Sequence, residues 1–181
     1  MEIEQLLRQA TANIGLQYFQ LPVAGQEDPV YRERVYCYEL YHQLRLLWPK
    51  DLMYVLSGEV DKSGHPLIRH SVLDNTKPDF LIHVPGNMGN NSLVMEVKPV
   101  NAQKGGIAKD LRTLTAFERY GEYEQAFYLI YGSDNEAFKK LLGSAILFSK
   151  RDGGKTIDLS RIMLWYHPSA GAAAEFIPWD T

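Results

Sequence analysis

Two short stretches decide the reading of this chain: Lys77-Pro78-Asp79-Phe80-Leu81-Ile82-His83 and Leu93-Val94-Met95-Glu96-Val97-Lys98-Pro99, separated by Pro85-Gly86-Asn87-Met88-Gly89-Asn90-Asn91. Each flank is rich in β-branched and aliphatic residues, and the middle is dense in Gly, Asn and Pro, so the pattern predicts two strands joined by a turn. Side chains alternate along a strand. Glu96 and Lys98 therefore share one face, and Asp79 can face them from the neighbouring strand. Leu93, Val94, Met95, Val97 and Val100 are the residues of a buried central strand. Two charges inside that run ask for a reason: an exposed strand edge, or a site. Two carboxylates with a carbonyl oxygen are the hard oxygen ligands that Mg²⁺ takes, the remainder being water and substrate phosphate.

Around this hairpin the chain alternates helices and strands. Ile3, Leu6, Leu7, Ala10 and Ile14 recur at helical spacing before Gly15. Asp28-Pro29 has the form of an N-cap followed by the first helical position. It opens a helix expected over Val30–Trp48, with an apolar stripe at Val35, Tyr38, Tyr41, Leu44 and Leu47 or Trp48. Strands are expected near Met53–Val60, Leu67–Val72, Pro78–Val84 and Ser92–Pro99. Gly105-Gly106 then releases the chain into a helix with Ile107, Leu111, Leu114 and Phe117 on one side. A strand at Ala126–Tyr131, a helix at Asn135–Phe148 and a strand at Arg161–Tyr166 follow, with Ala170–Thr181 as a loosely specified tail.

The order and the motifs resemble the PD-(D/E)XK nuclease superfamily, the restriction-endonuclease-like fold. Pro78-Asp79 matches its first signature and Glu96-Val97-Lys98 its second, 17 residues on. The resemblance covers about residues 28–132, and the whole chain, 1–181, is expected to be one nuclease-like domain. It implies an α/β fold: a central mixed sheet flanked by helices, an αβββαβ core with an extra N-terminal helix and a C-terminal helix and strand. It also implies catalysis by Glu39, Asp79, Glu96 and Lys98. Asp79, Glu96 and the Val97 carbonyl would hold Mg²⁺, with Mn²⁺ able to substitute, and Glu39 would join them directly or through water. Glu33 is the rival helix carboxylate, set second because an acid in a first helical turn simply complements the helix dipole. Lys98 would orient or help deprotonate the attacking water, a base role that needs a tuned pKa.

Other residues carry weaker signals. His83 shares strand parity with Asp79. Lys104, before Gly105-Gly106, stands at a helix N-terminus, which attracts anions, and Lys109 and Arg112 lie on the helix that follows. All four are candidate contacts to substrate phosphate. His65, His70 and His167 lack a zinc spacing, and the lone Cys37 admits no intramolecular disulfide.

Composition bounds the rest. The 181 residues are 45% hydrophobic and 23% charged, with a formal charge of −3, ordinary for a globular chain and not for a strongly basic nucleic-acid binder. Residues 98–161 nevertheless hold 11 Lys/Arg against 8 Asp/Glu. No run is long and apolar enough to span a membrane. The acidic start Met1-Glu2-Ile3-Glu4 lacks the basic region of a secretory signal, so a cytoplasmic protein is expected. The expected function is a metal-dependent nuclease acting on DNA rather than RNA, an endonuclease rather than an exonuclease, in a homodimer or a larger nuclease complex. The competing expectation is a catalytically inactive binding or accessory module of the same fold.

Overall fold

A computed structural model describes residues 3–60, 73, 74, 76–87, 89–151 and 153–179. In chain order the elements are α1 (Ile3–Ala12), the single turn α2 (Leu16–Phe19), α3 (Glu33–Leu47), β1 (Val55–Gly58), β2 (Phe80–His83), β3 (Asn91–Pro99), α4 (Lys104–Tyr120), β4 (Tyr123–Tyr131), α5 (Asn135–Arg151), β5 (Ile162–His167) and β6 (Glu175–Ile177). The strand expected at Leu67–Val72 lies outside the described residues. Among the described residues no helix is long and apolar enough to cross a membrane.

The six strands form one mixed sheet in sequence order. β1, β2 and β3 run antiparallel as a meander. β3, β4 and β5 are parallel, and β6 closes the far edge antiparallel to β5. A parallel step needs a long crossover, which α4 supplies between β3 and β4 and α5 between β4 and β5. α4 and α5 cover one face of the sheet, where Val94, Tyr128, Ile130 and Leu164 meet Ile107, Leu111, Leu114 and Leu141. The N-terminal helices cover the other, where Met95, Val97, Phe127, Leu129 and Trp165 meet Leu7, Phe19, Tyr36 and Leu40. Two-sided burial explains why β4 is apolar or aromatic without a break from Ala126 to Tyr131.

Three expectations need correction. Helix α3 does not start at Asp28-Pro29. Val30 pairs with Leu21 through reciprocal backbone hydrogen bonds of 3.0 and 2.8 Å, which hold this segment extended and delay the helix to Glu33. Its buried residues are Tyr36, Cys37, Leu40 and Leu44, whereas Tyr38 is 64% exposed. The helix is thus rotated relative to the expected stripe, and one residue of offset is worth about 100°. The glycines at 105 and 106 sit inside the first turn of α4 instead of before it. A methyl group on Gly106 would lie 3.8 Å from Cε of Lys98, so this bare turn is what runs along the lysine stem. The tail is also better defined than expected. β6 pairs with β5, and Ala174 is tied to α1 by its N–H donating to Thr11 Oγ1 at 2.8 Å.

Where β4 ends, Gly132 has φ +138° and donates its N–H to the His167 carbonyl, while its own carbonyl accepts from Tyr166 Oη at 2.7 Å. A Cβ there would stand 2.4 Å from Val100 Cγ2 and 3.1 Å from Tyr31 Oη. Strain and overlap add at this position. Gly132→Ala is expected to cost about 2–4 kcal/mol in denaturant unfolding, and a loss below about 0.5 kcal/mol would show that the strand end gives way freely.

Candidate active site

β2 begins at Phe80, which is paired with Met95, so β3 runs four residues further, to Pro99, with no strand among the described residues beside it on that edge. Asp79, the residue just before β2, takes the vacant place: its Oδ2 accepts the Val97 N–H at 2.8 Å. The N–H and C=O of one strand residue point to the same side. The Val97 carbonyl therefore turns toward the same opening as its amide. Asp79 is itself held through its carbonyl, which accepts the Glu59 N–H at 3.1 Å.

Alternation does the rest. Leu81 and Val94 face the α4 layer, and so do Asp79, Glu96 and Lys98 at the same parity. The three charges line one pocket of about 230 Å³, together with Glu33, Cys37, Lys109, Asp110 and Thr113. Glu96 is 6% exposed, which dismisses the exposed-edge explanation for a charge in this strand.

Four carboxyl groups surround one amine. Lys98 Nζ is 2.8 Å from Glu33 Oε2 and 3.3 Å from Asp110 Oδ2. The second contact is an ion pair without the alignment of a hydrogen bond, since Asp110 Oδ2 is buried and has no hydrogen-bond partner. Burial pulls the Lys98 pKa down, but Asp110 and Glu33 outweigh it and hold the amine above the ordinary lysine range. Lys98 is thus a firmly protonated cation, and the expected base role does not suit it. The carboxyls move upward. Burial raises Asp79, opposed by the Val97 N–H and Lys98. Burial raises Glu96 well above the usual carboxylate range, and the nearby Asp79 and Asp110 add to it. Burial pushes Asp110 up to about 7, with Lys98 pulling the other way. Asp79 and Glu96 line the same pocket, and a neighbouring negative charge disfavours ionisation of a buried carboxyl.

Glu33 supplies the helix carboxylate and Glu39 does not. The rotation of α3 places Glu33 one turn before Cys37 on the inward side, while Glu39 Oε1 accepts from Gln43 Nε2 at 2.6 Å, outside the pocket lining. His83 is also displaced. It keeps the parity of Asp79 but pairs with Asn91, at the opposite end of β3 from Glu96 and Lys98, about 13 Å from Asp79 along the strand. Its Nε2 lies 3.3 Å from Ser57 Oγ. Lys109 lines the pocket, Arg112 lines the groove beside it, and Lys104, exposed at the start of α4, lines neither. Cys37 is a buried free thiol whose pKa is raised by burial and by Asp79 and Glu33.

Two further residues belong to this neighbourhood. Asp110, 4% exposed, occupies the buried stripe of α4 with Ile107, Leu111 and Leu114. An acid on that stripe is a signal that periodicity alone exposes. Tyr128 pairs with Glu96 in the β3–β4 register, and its buried hydroxyl has no hydrogen-bond partner. No local pattern distinguishes it from the aromatic core of β4.

The donor set suits a hard divalent cation. Asp79, Glu96 and the Val97 carbonyl supply oxygen only, and the Asp79 and Asp110 charges that add to burial in raising the Glu96 pKa are ones a cation would relieve. Among the described residues no group of three or more His, Cys, Asp or Glu side chains is arranged to hold a metal, and Glu33 is engaged by Lys98.

Because the folded chain binds the Glu96 proton more tightly than the unfolded chain, its contribution to stability is complete below the unfolded pKa, near 4.5, and declines as pH rises above it. Glu96→Gln keeps the shape without the titration. In EDTA, urea unfolding is expected to show little difference between Glu96→Gln and the parent at pH 5. At pH 8 the variant should be more stable by at least about 1 kcal/mol, a tenfold change in proton affinity being worth ~1.4 kcal/mol. An equal gap at the two pH values would refute the raised pKa. Compared with known proteins, the chain matches no family model, no curated protein and no solved structure.

Proposed function

We propose that the chain is a divalent-metal-dependent nuclease of the restriction-endonuclease-like, PD-(D/E)XK kind, hydrolysing phosphodiester bonds in nucleic acid, DNA rather than RNA. One observation carries this reading: half-buried Asp79 and buried Glu96 lie with the Lys98 cation on one sheet face and line the same pocket.

In this reading Asp79, Glu96 and the Val97 carbonyl hold Mg²⁺ or Mn²⁺. The metal, when bound, supplies a water of lowered pKa and neutralises charge on the phosphate. Every other part is played by the chain. Lys98 presents a fixed positive charge to the developing negative charge of the transition state, and Glu33 and Asp110 set the position of its amine. Glu96, whose pKa burial raises, would have to be ionised to hold the metal, so metal affinity would rise with pH. The overall charge of −3 favours a small footprint on the substrate, or a homodimer or larger complex that adds contacts.

Supercoiled plasmid is expected to be nicked in Mg²⁺ or Mn²⁺ and left intact in EDTA. Asp79→Ala, Glu96→Ala and Lys98→Ala should each lower the rate by about 10²-fold or more, and Glu33→Ala should lower it while Glu39→Ala leaves it within about twofold. Full activity in Glu96→Ala or Lys98→Ala overturns this mechanism. Mg²⁺ is also expected to raise the melting temperature more at pH 8 than at pH 5, an effect that Glu96→Gln abolishes. No cutting and no metal effect on melting would leave the inactive binding module as the reading of this fold.

A further inference from the structure

A second depression adjoins the acidic pocket, with the opposite charge. It has a volume of about 440 Å³ and shares Thr76, Lys109 and Thr113 with the first. Beyond them its lining carries Arg112, Arg119, Tyr120 and Lys155, over a floor that includes Ala116, and among the described residues it contains no carboxylate. Four cations, of which Arg119 alone is paired, with Asp158, are conspicuous in a chain of net negative charge. Among the described residues no ion pair engages Lys109, Arg112 or Lys155.

The groove is also held in shape. Arg119 Nη2 donates to the Gly154 carbonyl at 2.9 Å and to Asp158 Oδ2 at 2.8 Å, pinning the turn that carries Lys155 against α4. Lys109, Arg112, Ala116 and Arg119 follow one another at three- and four-residue steps on one side of that helix, with Tyr120 four residues after Ala116, and this side faces the groove. Tyr120, at the last turn, is 63% exposed, an aromatic face left bare where the helix ends.

Resting on the nuclease reading of the neighbouring pocket, we infer that this groove is a track for a single-stranded polynucleotide, one strand of which leads into the acidic pocket. Unpaired cations spaced along an apolar floor match a phosphodiester backbone, and an exposed tyrosine offers a stacking surface for a base of any sequence. The volume is that of a small-ligand site, room for a nucleotide or two and not for the width of a duplex. Unstacked bases are what Tyr120 can accept. The strand passes Lys155, Arg112 and Lys109 in turn, the last of these standing at the shared rim of the two pockets.

The test separates binding from cutting. Fluorescence anisotropy of labelled oligothymidine, and of oligouridine to tell DNA from RNA, is measured in EDTA over a range of salt, beside a hairpin duplex of equal charge. Arg112→Glu/Lys155→Glu is expected to weaken single-strand binding at least about tenfold and to flatten its salt dependence, each lost phosphate contact removing roughly 0.7 from the slope. Tyr120→Ala should weaken it about fivefold or more with the salt slope unchanged. The duplex should bind less tightly than either oligonucleotide. All three side chains are exposed, and Arg112→Gln and Lys155→Gln singly give the same ordering if the double reversal melts early. Loss of oligonucleotide binding in these variants, with no cutting by the parent, would uphold the track and reject the nuclease reading. Metal-dependent cutting by the parent, with unchanged oligonucleotide binding in the charge-reversed and Tyr120→Ala proteins, would overturn the track and leave the nuclease reading standing. Equal binding of duplex and single strand, indifferent to Tyr120→Ala, would also overturn it.

Discussion

The hydrogen bond from the Val97 amide to Asp79 Oδ2 marks the place where the sheet stops being structural and becomes chemical. A central strand needs its N–H and C=O groups paired on both sides, because an unpaired buried amide costs free energy comparable to a lost hydrogen bond. β3 is paired with β4 along Asn91–Pro99, but its pairing with β2 ends at Met95, four residues short. The carboxylate of Asp79 fills the shortfall in the ladder. One side chain thereby completes the sheet and is fixed beside Glu96, in a position set by backbone geometry and not by a mobile rotamer.

The electrostatics follow from that placement. Alternation puts Glu96 and Lys98 on the same face, under α4, where there is little water to screen them. A lone buried carboxyl would stay protonated, and the upward shifts of Asp79, Glu96 and Asp110 express this cost. Lys98 stays charged because Glu33 from α3 and Asp110 from α4 reach it from both sides. The cluster therefore draws together four elements, α3, β3, α4 and the residue preceding β2. It is an arrangement that stability alone does not favour. Concentrated charge in a buried place is a mark of functional sites in general.

The basic groove beyond Lys109 adds an asymmetry that the net charge conceals. On the proposed reading, an acidic pocket next to a basic groove, on one helix, would orient a ligand, its phosphates drawn toward the cations. Arg119 contributes by holding the turn that carries Lys155 in place.

Much of this was legible in the residues themselves. The alternation of apolar and charged positions over 93–99, and the matching parity of Asp79, determine a shared face once the two segments are strands, because the period of a strand is two. The order of helices and strands, and the parallel pairing across α4 and α5, follow from segment lengths and periodicity. The helix carboxylate was not legible. Its choice depends on the rotation of α3 about its axis, set by the Leu21–Val30 pairing and by packing of Tyr36, Cys37 and Leu40 against the sheet, none of which leaves a local mark. His83 failed for a related reason: parity fixes the side of a sheet but not the distance along it. Asp110 shows in the periodicity of its helix, but Tyr128 and the joining of Lys155 and Tyr120 to one groove belong to tertiary structure alone, since they come from elements far apart in the chain. Local pattern specifies which face a side chain takes; only packing decides which faces meet.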